Sequence, residues 1–332
     1  MSSTRALHVG ILGAARIAPS ALLRPASEID GIRVTNIASR DPERAQDFAR
    51  RHSIPRVNTS YEELLSDAGV DAVYIATPVS HHAHWMAAAL EAGKHVLCEK
   101  PFTSNAGAAR GIERAAAARS GAVVMEAYHS AYHPFQQRLR AVIHSGELGA
   151  VVSARATFAI PLVSRKAIQW NPALGGGGLL DVGYYPVRQL RDLFGEPEQI
   201  IRARAWSDGR VDRRFEAALQ FPDGVRGEVV SAIWSHRVLA SRLEITGERG
   251  TLRASWPYHP QSGARMVIRS GGTRHDETPD RRPTYTFQLE AFRDAVRAGI
   301  PPLTGPVEAV TQLEVIDNLY AAAGLQPRPS FS

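Results

Sequence analysis

Along the first 128 residues, short unbroken apolar runs alternate with segments whose apolar residues recur at helical spacing. Leu7–Leu12 is the first run, and a turn and a helix-compatible stretch follow it. Residues 33–38 (RVTNIA), a mixed run with β-branched residues, are the second strand candidate. Asp41-Pro42 then opens a helix to about Arg51, with Asp at the N-cap and Pro at the first helical position. Ser60 and Glu63 are spaced as a capping box for SYEELLSD. Residues 71–77 (DAVYIAT) are apolar through the middle, as a strand buried on both faces must be. A helix over 82–92 closes on Gly93, and 95–98 (HVLC) is a fourth strand with Glu99-Lys100-Pro101 at its carboxyl end. A helix over about 105–119 and a strand over 123–127 complete the pattern. Strands alternating with helices of this length predict an α/β domain over 1–128, built on a doubly wound parallel sheet.

After Tyr128 the texture changes. A helix over 134–145 leads to a strand over 151–160, a loop WNPALGGGG (170–178) and a helix over 179–194. Strand-like runs follow: EQIIRARAW, RFEAALQF, VRGEVVSAIW, RLEITG and TLRASW. Phe221-Pro222-Asp223-Gly224 and Gly247-Glu248-Arg249-Gly250 read as turns between some of them. Sequential strands of this kind predict an α+β domain over 129–332, an open antiparallel or mixed sheet flanked by helices. Residues 257–283 are the most loop-like stretch. Two amphipathic helices, over 284–298 and 307–323, end the chain, the last placed to pack back on the first domain.

Composition narrows this picture. Hydrophobic residues make up 44% and charged residues 22%, ordinary for a globular protein, and no apolar run approaches the ~20 residues needed to span a bilayer. The opening MSSTRALHVGILGAARIAP reads as a strand entering a turn rather than a targeting segment, because the α/β pattern follows at once. Cys98 is the single cysteine, so no internal disulfide forms and a reducing cytoplasm fits. The net charge of +6 is scattered, without a basic stripe or a nucleic-acid module pattern, which argues against nucleic acid as a partner. Only Lys94, Lys100 and Lys166 are lysines among the 39 basic residues, so the strand-end position of Lys100 stands out.

Candidate chemistry gathers at strand ends. In Gly10-Ile11-Leu12-Gly13-Ala14-Ala15-Arg16-Ile17-Ala18, Gly13 fits the first glycine of G-x-G-x-x-G/A, Ala15 replaces the second and Ala18 is a permitted third. Such a turn aims backbone N–H groups and a helix dipole at a pyrophosphate, which predicts a Rossmann nucleotide site. Ser39-Arg40 ends the second strand where an acid would hold an NAD ribose; a hydroxyl and a guanidinium there suit the 2′-phosphate of NADP. The competing reading of Arg40 is a solvated surface residue. Thr77-Pro78 and Glu99-Lys100-Pro101 also stand at strand carboxyl ends, where open α/β sheets bind ligands, and the Lys100-Pro101 bond is a candidate cis peptide.

Asp181 and Tyr185 are four apart on one helix and project from one face, behind the glycine run 175–178. A core aromatic is the competing reading of Tyr185. His81, His82 and His84 cluster without a second group of ligands, so no metal site is expected, and neither a G-x-S-x-G elbow nor a P-loop is present.

The segments GILGAARIA, IATPVSHHAHW, EAGKHVLCEKP and GGGGLLDVGYY, in this order, resemble the Gfo/Idh/MocA oxidoreductase family over almost the whole chain. The resemblance implies an NAD(P)-dependent dehydrogenase or reductase acting on a hydroxyl-bearing carbon of a sugar, sugar derivative or cyclic diol. NADP is the expected cofactor and NAD the alternative. It implies that Gly13, Ala14, Ala15, Arg16, Ile17, Ser39, Arg40, Thr77, Pro78, His82, Glu99 and Lys100 bind the cofactor. Lys100 would orient the substrate hydroxyl, Asp181 would bind substrate, and Tyr185 would be the acid/base, helped by Lys100. Tyrosine at this position is similar to the glucose–fructose oxidoreductase, dihydrodiol dehydrogenase and D-xylose dehydrogenase branch. An open, mainly antiparallel second sheet, and self-association as a dimer or tetramer through it, are also implied. Val79 and Ser130-Ala131 depart from the family's usual residues beside cofactor and substrate. A dinucleotide-sensing regulator on the same fold and an NAD-assisted glycoside hydrolase are the competing functions.

Overall fold

In the computed structural model the described residues are 5–207, 209–234 and 239–331, so the first four residues of the opening segment lie outside them. They form two compact units. One takes in the residues up to Ala131, Tyr285–Thr311 and the stretch from Ser330; the other takes in Tyr132–Thr284 and Gln312–Pro329. The chain therefore leaves the first unit and comes back to it, where the sequence suggested one cut after residue 128.

The first unit is a six-stranded parallel sheet of β1 (Leu7–Leu12), β2 (Ile32–Ala38), β3 (Arg56–Val57), β4 (Ala72–Ile75), β5 (His95–Glu99) and β6 (Val124–Ala127). Its order, β3-β2-β1-β4-β5-β6, is the doubly wound arrangement that reverses direction beside β1. Both faces of the central strands are covered, so Ile11, Leu12, Val73, Tyr74, Ile75, Leu97 and Cys98 are all fully buried. The helices are α1 (Arg24–Glu28), α2 (Pro42–His52), α3 (Tyr61–Ser66), α4 (His82–Glu91) and α5 (Ala106–Ala117). Both predicted side-chain caps are present, Asp41 accepting from the Arg44 N–H and Ser60 from that of Glu63, and Asn105 caps α5 in the same way, accepting from Ala108. The returning segment covers the open edge of β6, with the Glu126 N–H donating to the Thr304 carbonyl (2.8 Å) and the Thr304 hydroxyl to the Glu126 carbonyl (2.7 Å).

The second unit begins with α6 (Pro134–His144) and β7 (Val151–Ala159), then a π-helical turn (Leu179–Gly183) running into α7 (Tyr184–Phe194). Strands β8 (Gln199–Ser207), β9 (Asp212–Gln220), β10 (Arg226–Ala232), β11 (Ala240–Gly247), β12 (Gly250–Ser255), β13 (Arg265–Ser270) and β14 (Thr273–Glu277) complete an eight-stranded sheet. Its order is β14-β13-β12-β11-β7-β10-β9-β8, antiparallel except for the β7–β10 pair. Strands β13 and β14 lie where the sequence reads as loop: β13 is short, with only Met266 and Ile268 buried, and the edge strand β14 (Thr273–Glu277) is polar throughout.

Phe158, Ser231 and Ser241 share one rung of the sheet and so face the same way. The π turn sits on this face: a Cβ built on Gly183 would lie 2.7 Å from the Ser231 hydroxyl. The last helices are α8 (Thr284–Ala298) and α9 (Pro306–Ala322). No helix among the described residues is long and apolar enough to cross a membrane.

Candidate active site

In the first unit, the β1 turn is held by backbone bonds from Gly13 to Ala38 and from Ala15 to Gly13, both 2.9 Å. Gly13 has φ +102°, and a Cβ on it would stand 2.9 Å from the Ala76 carbonyl, so the position requires glycine. Ala14 is buried, Ala15 half-buried, and Arg16 and Ile17 are exposed at the rim. The helix after the turn starts π-helically at Pro19–Leu23.

At the end of β2, Ser39 is half-buried and Arg40 exposed. The Arg40 N–H donates to the Tyr61 hydroxyl at 3.3 Å. Burial pushes that hydroxyl above its ordinary range, against the pull of Arg40 and Arg44. Arg44, reaching back from α2, donates to the Ala14 carbonyl at 2.7 Å. Two guanidinium-bearing residues therefore frame the junction of dinucleotide turn and second strand. Arg44 and Tyr61 escaped the sequence reading; the helical position of Arg44, four residues past Arg40, was the signal available.

The β4 end carries Thr77, whose hydroxyl is buried and has no hydrogen-bond partner in the protein. His82, 1% exposed, places its two ring nitrogens 2.9 Å from the Thr77 and Pro101 carbonyls. A neutral ring donates to only one of them, and burial holds the ring neutral by lowering its pKa. Its position between the two carbonyls links the strand-end loops that carry Thr77 and Pro101. His81 stacks on Phe331 (4.7 Å between centroids) and His84 lies edge-on to Trp85, so the histidine cluster points three ways. Among the described residues no group of three or more His, Cys, Asp or Glu is arranged to hold a metal.

At the end of β5, the Tyr74 hydroxyl donates to Glu99 at 2.5 Å. Burial pushes the Glu99 carboxyl up, opposed by Tyr74 and Lys100. Lys100 is half-buried and precedes a cis peptide to Pro101. The next backbone N–H, that of Phe102, donates to the buried Glu126 carboxylate at 2.7 Å. Ser130 and Ala131, the departures after β6, are both buried, and the Ser130 hydroxyl lacks a partner.

In the second unit, Tyr185 is 4% exposed and lies in an aromatic group with Phe158 (5.3 Å), Tyr258 (5.4 Å) and His259 (5.8 Å). Tyr258 and His259 follow Trp256, a bulky residue held at φ +51°, a strained conformation. Neither was legible as site chemistry, since they reach Tyr185 only through the fold. Asp181 is half-exposed and lies inside the π turn, which runs straight into the helix that bears Tyr185. The glycine run serves close chain approach: a Cβ on Gly176 would meet the Gln169 and Asn171 carbonyls at 2.6 and 2.7 Å. Trp170, under the Arg165 guanidinium at 3.9 Å, has a buried indole N–H without a partner.

Comparison with known proteins agrees with this geometry. The model of the Gfo/Idh/MocA oxidoreductase family, NAD-binding Rossmann fold, matches residues 7–128, and that of the family's C-terminal domain matches residues 136–253. The chain is 34% identical over 316 residues to D-xylose 1-dehydrogenase (NADP(+)) 2 of Haloferax volcanii, covering 95% of this chain and 96% of that protein. It is 37% identical over 341 residues to trans-1,2-dihydrobenzene-1,2-diol dehydrogenase of Bos taurus, covering 96% and 98%. The structure matches that of KijD10, a 3-ketoreductase from Actinomadura kijaniata in complex with NADP and TDP-benzene, with a TM-score of 0.89 and 27% identity over 99% of this chain and 100% of that one. With a parallel nucleotide-binding sheet, a mostly antiparallel second sheet and both family models matched, the chain is a member of the Gfo/Idh/MocA oxidoreductase family.

Proposed function

We propose that the protein is an NADP-dependent oxidoreductase acting on the hydroxyl- or carbonyl-bearing carbon of a sugar, sugar derivative or cyclic diol, with Tyr185 as acid/base and Lys100 at the reacting oxygen. The observation that carries this is the setting of Lys100. Of the three lysines, Lys94 is buried and donates to the Asp67 and Val70 carbonyls, and Lys166 is exposed in a loop. Lys100 alone stands at a strand carboxyl end, half-buried beside a carboxylate that a tyrosine holds.

The residues of the first unit fit a dinucleotide. Gly13 leaves a cradle that a Cβ would fill, the Thr77 hydroxyl has a buried oxygen to offer, and Arg40 with Arg44 supplies positive charge where a 2′-phosphate would sit. Bound nicotinamide supplies or accepts the hydride. In the oxidative direction the substrate O–H proton passes to Tyr185 in its phenolate form, leaving the neutral phenol, as the C–H hydride leaves and the C=O forms. Lys100 favours the anionic form of that oxygen by its charge, and Asp181 accepts a hydrogen bond from a neighbouring hydroxyl. The relatives named above support a polyhydroxylated substrate. The outer face of the second sheet, with ion pairs such as Arg155–Glu228 and exposed Ile201, is the surface we assign to self-association.

Purified protein is expected to change nicotinamide absorbance with NADPH or NADP and at least one of a panel of aldoses, keto-sugar nucleotides and cyclic diols. Binding of NADPH without turnover of any of them would favour a sensor instead. Arg40→Ala is expected to raise the KM for NADPH by about 10- to 100-fold, the loss of a charge-assisted bond, and to leave that for NADH unchanged. Equal loss with both cofactors would overturn the 2′-phosphate assignment.

A further inference from the structure

The helix that carries Asp181 and Tyr185 begins without a local cap. The first N–H groups of a helix need acceptors from outside it, and the preceding residue, Gly178, has no side chain to offer. A distant group does this instead. Asp212, the first residue of β9 and fully buried, accepts from the Leu179 N–H at 2.6 Å. The Tyr320 hydroxyl, from α9, accepts from the Leu180 N–H at 3.2 Å and donates to Asp212 at 3.1 Å. Arg328, in the segment after α9, donates to the same Asp212 oxygen at 2.5 Å. All three press on Gly177, where a Cβ would come within 2.6 Å of Asp212, 2.7 Å of Tyr320 and 3.0 Å of Arg328.

Burial pushes the Asp212 carboxyl up, and Arg328 is the first of the groups that oppose it. A carboxylate so placed keeps its charge, and with it its strength as a double acceptor, only beside a cation. Arg328 fills that need.

We propose that Asp212, charged by Arg328 and steadied by Tyr320, is a positioning residue that sets where the helix bearing Asp181 and Tyr185 begins; this rests on the acid/base reading of Tyr185 above. Leu179 lies two residues before Asp181 and six before Tyr185. A slip at the start of the turn therefore moves both side chains together, and a displacement of about 1 Å from a distant change is enough to cost on the order of 100-fold in rate.

Asp212→Asn is expected to lower kcat about 10- to 100-fold while the dissociation constant for NADPH stays within a factor of about two, since the cofactor residues belong to the other unit. Arg328→Met should behave alike, and Arg328→Lys should restore most of the rate. In a Tyr185→Phe background, Asp212→Asn should lower the residual kcat by a clearly smaller factor, because one of the two side chains it positions has lost its function. If Asp212→Asn does not fold, Tyr320→Phe, which removes one acceptor and one donor, is expected to give a smaller fall in kcat with the same pattern. Unchanged kcat in the folded variants, or an equal factor lost with and without the Tyr185 hydroxyl, overturns the proposal. Full activity of Tyr185→Phe alone overturns instead the reading on which it rests.

Discussion

Tyr185→Phe is expected to lower kcat by about 10²- to 10⁴-fold, the range for removing a general acid/base, with little change in fold or in NADPH affinity. The argument starts from what the substitution keeps. Tyr185 is 4% exposed and packs by its ring against Phe158, Tyr258 and His259 at 5.3 to 5.8 Å, and phenylalanine retains that ring. Only the hydroxyl goes. A loss of turnover with an unchanged thermal midpoint and an unchanged NADPH titration therefore isolates proton transfer from packing. The competing view, that Tyr185 is a core aromatic, predicts the reverse: turnover within a few-fold of the parent. Steady-state kinetics beside a thermal melt separates the two. His259 sharpens the comparison, since it is half-exposed against the same ring, and His259→Ala should alter KM more than kcat.

The first sheet was legible because its central strands, β4 and β5 above all, are short apolar runs, as burial on both faces requires. Strands β1 and β5, and helix α8, lie where the pattern places them, to within a residue at either end. Two caps were legible too, since Asp41 and Ser60 act on N–H groups three residues away. What escaped depends on distance along the chain. The edge strand β14 is nearly all polar, so solvent exposure erased its alternation. The covering of β6 by Thr304, the reach of Arg44 to Ala14, and the capping of Leu179 by Asp212 join residues 30 to 178 apart, and no local spacing encodes them. In the site, positions at strand ends could be read from chemistry, whereas the roles of Lys100, Asp181 and Tyr185 came from likeness to a family.

Lys100→Met is the second large effect, expected to lower kcat by about 10²- to 10³-fold, the range for removing one charged donor from an oxygen that becomes anionic. Methionine keeps the length and the apolar stem, so the strand end should hold; the Tyr74–Glu99 bond and the Phe102–Glu126 bond that flank it are untouched. The pH dependence discriminates more sharply than the rate. On the proposed mechanism, turnover in the oxidative direction rises with pH as the substrate proton is more readily given up, and the lysine cation would ease that loss by favouring the anion. Removing it must move the rising limb to higher pH, whereas Tyr185→Phe removes the acceptor and flattens the limb. A purely structural lysine would shift neither limb, and its loss would show in the thermal midpoint instead. Lys100→Arg tests charge against geometry: a planar guanidinium restores the cation but not the single compact donor, so the limb should return towards its original pH while kcat stays low. If arginine restores kcat in full, Lys100 acts by charge alone, and the assignment of a directed hydrogen bond to the reacting oxygen falls.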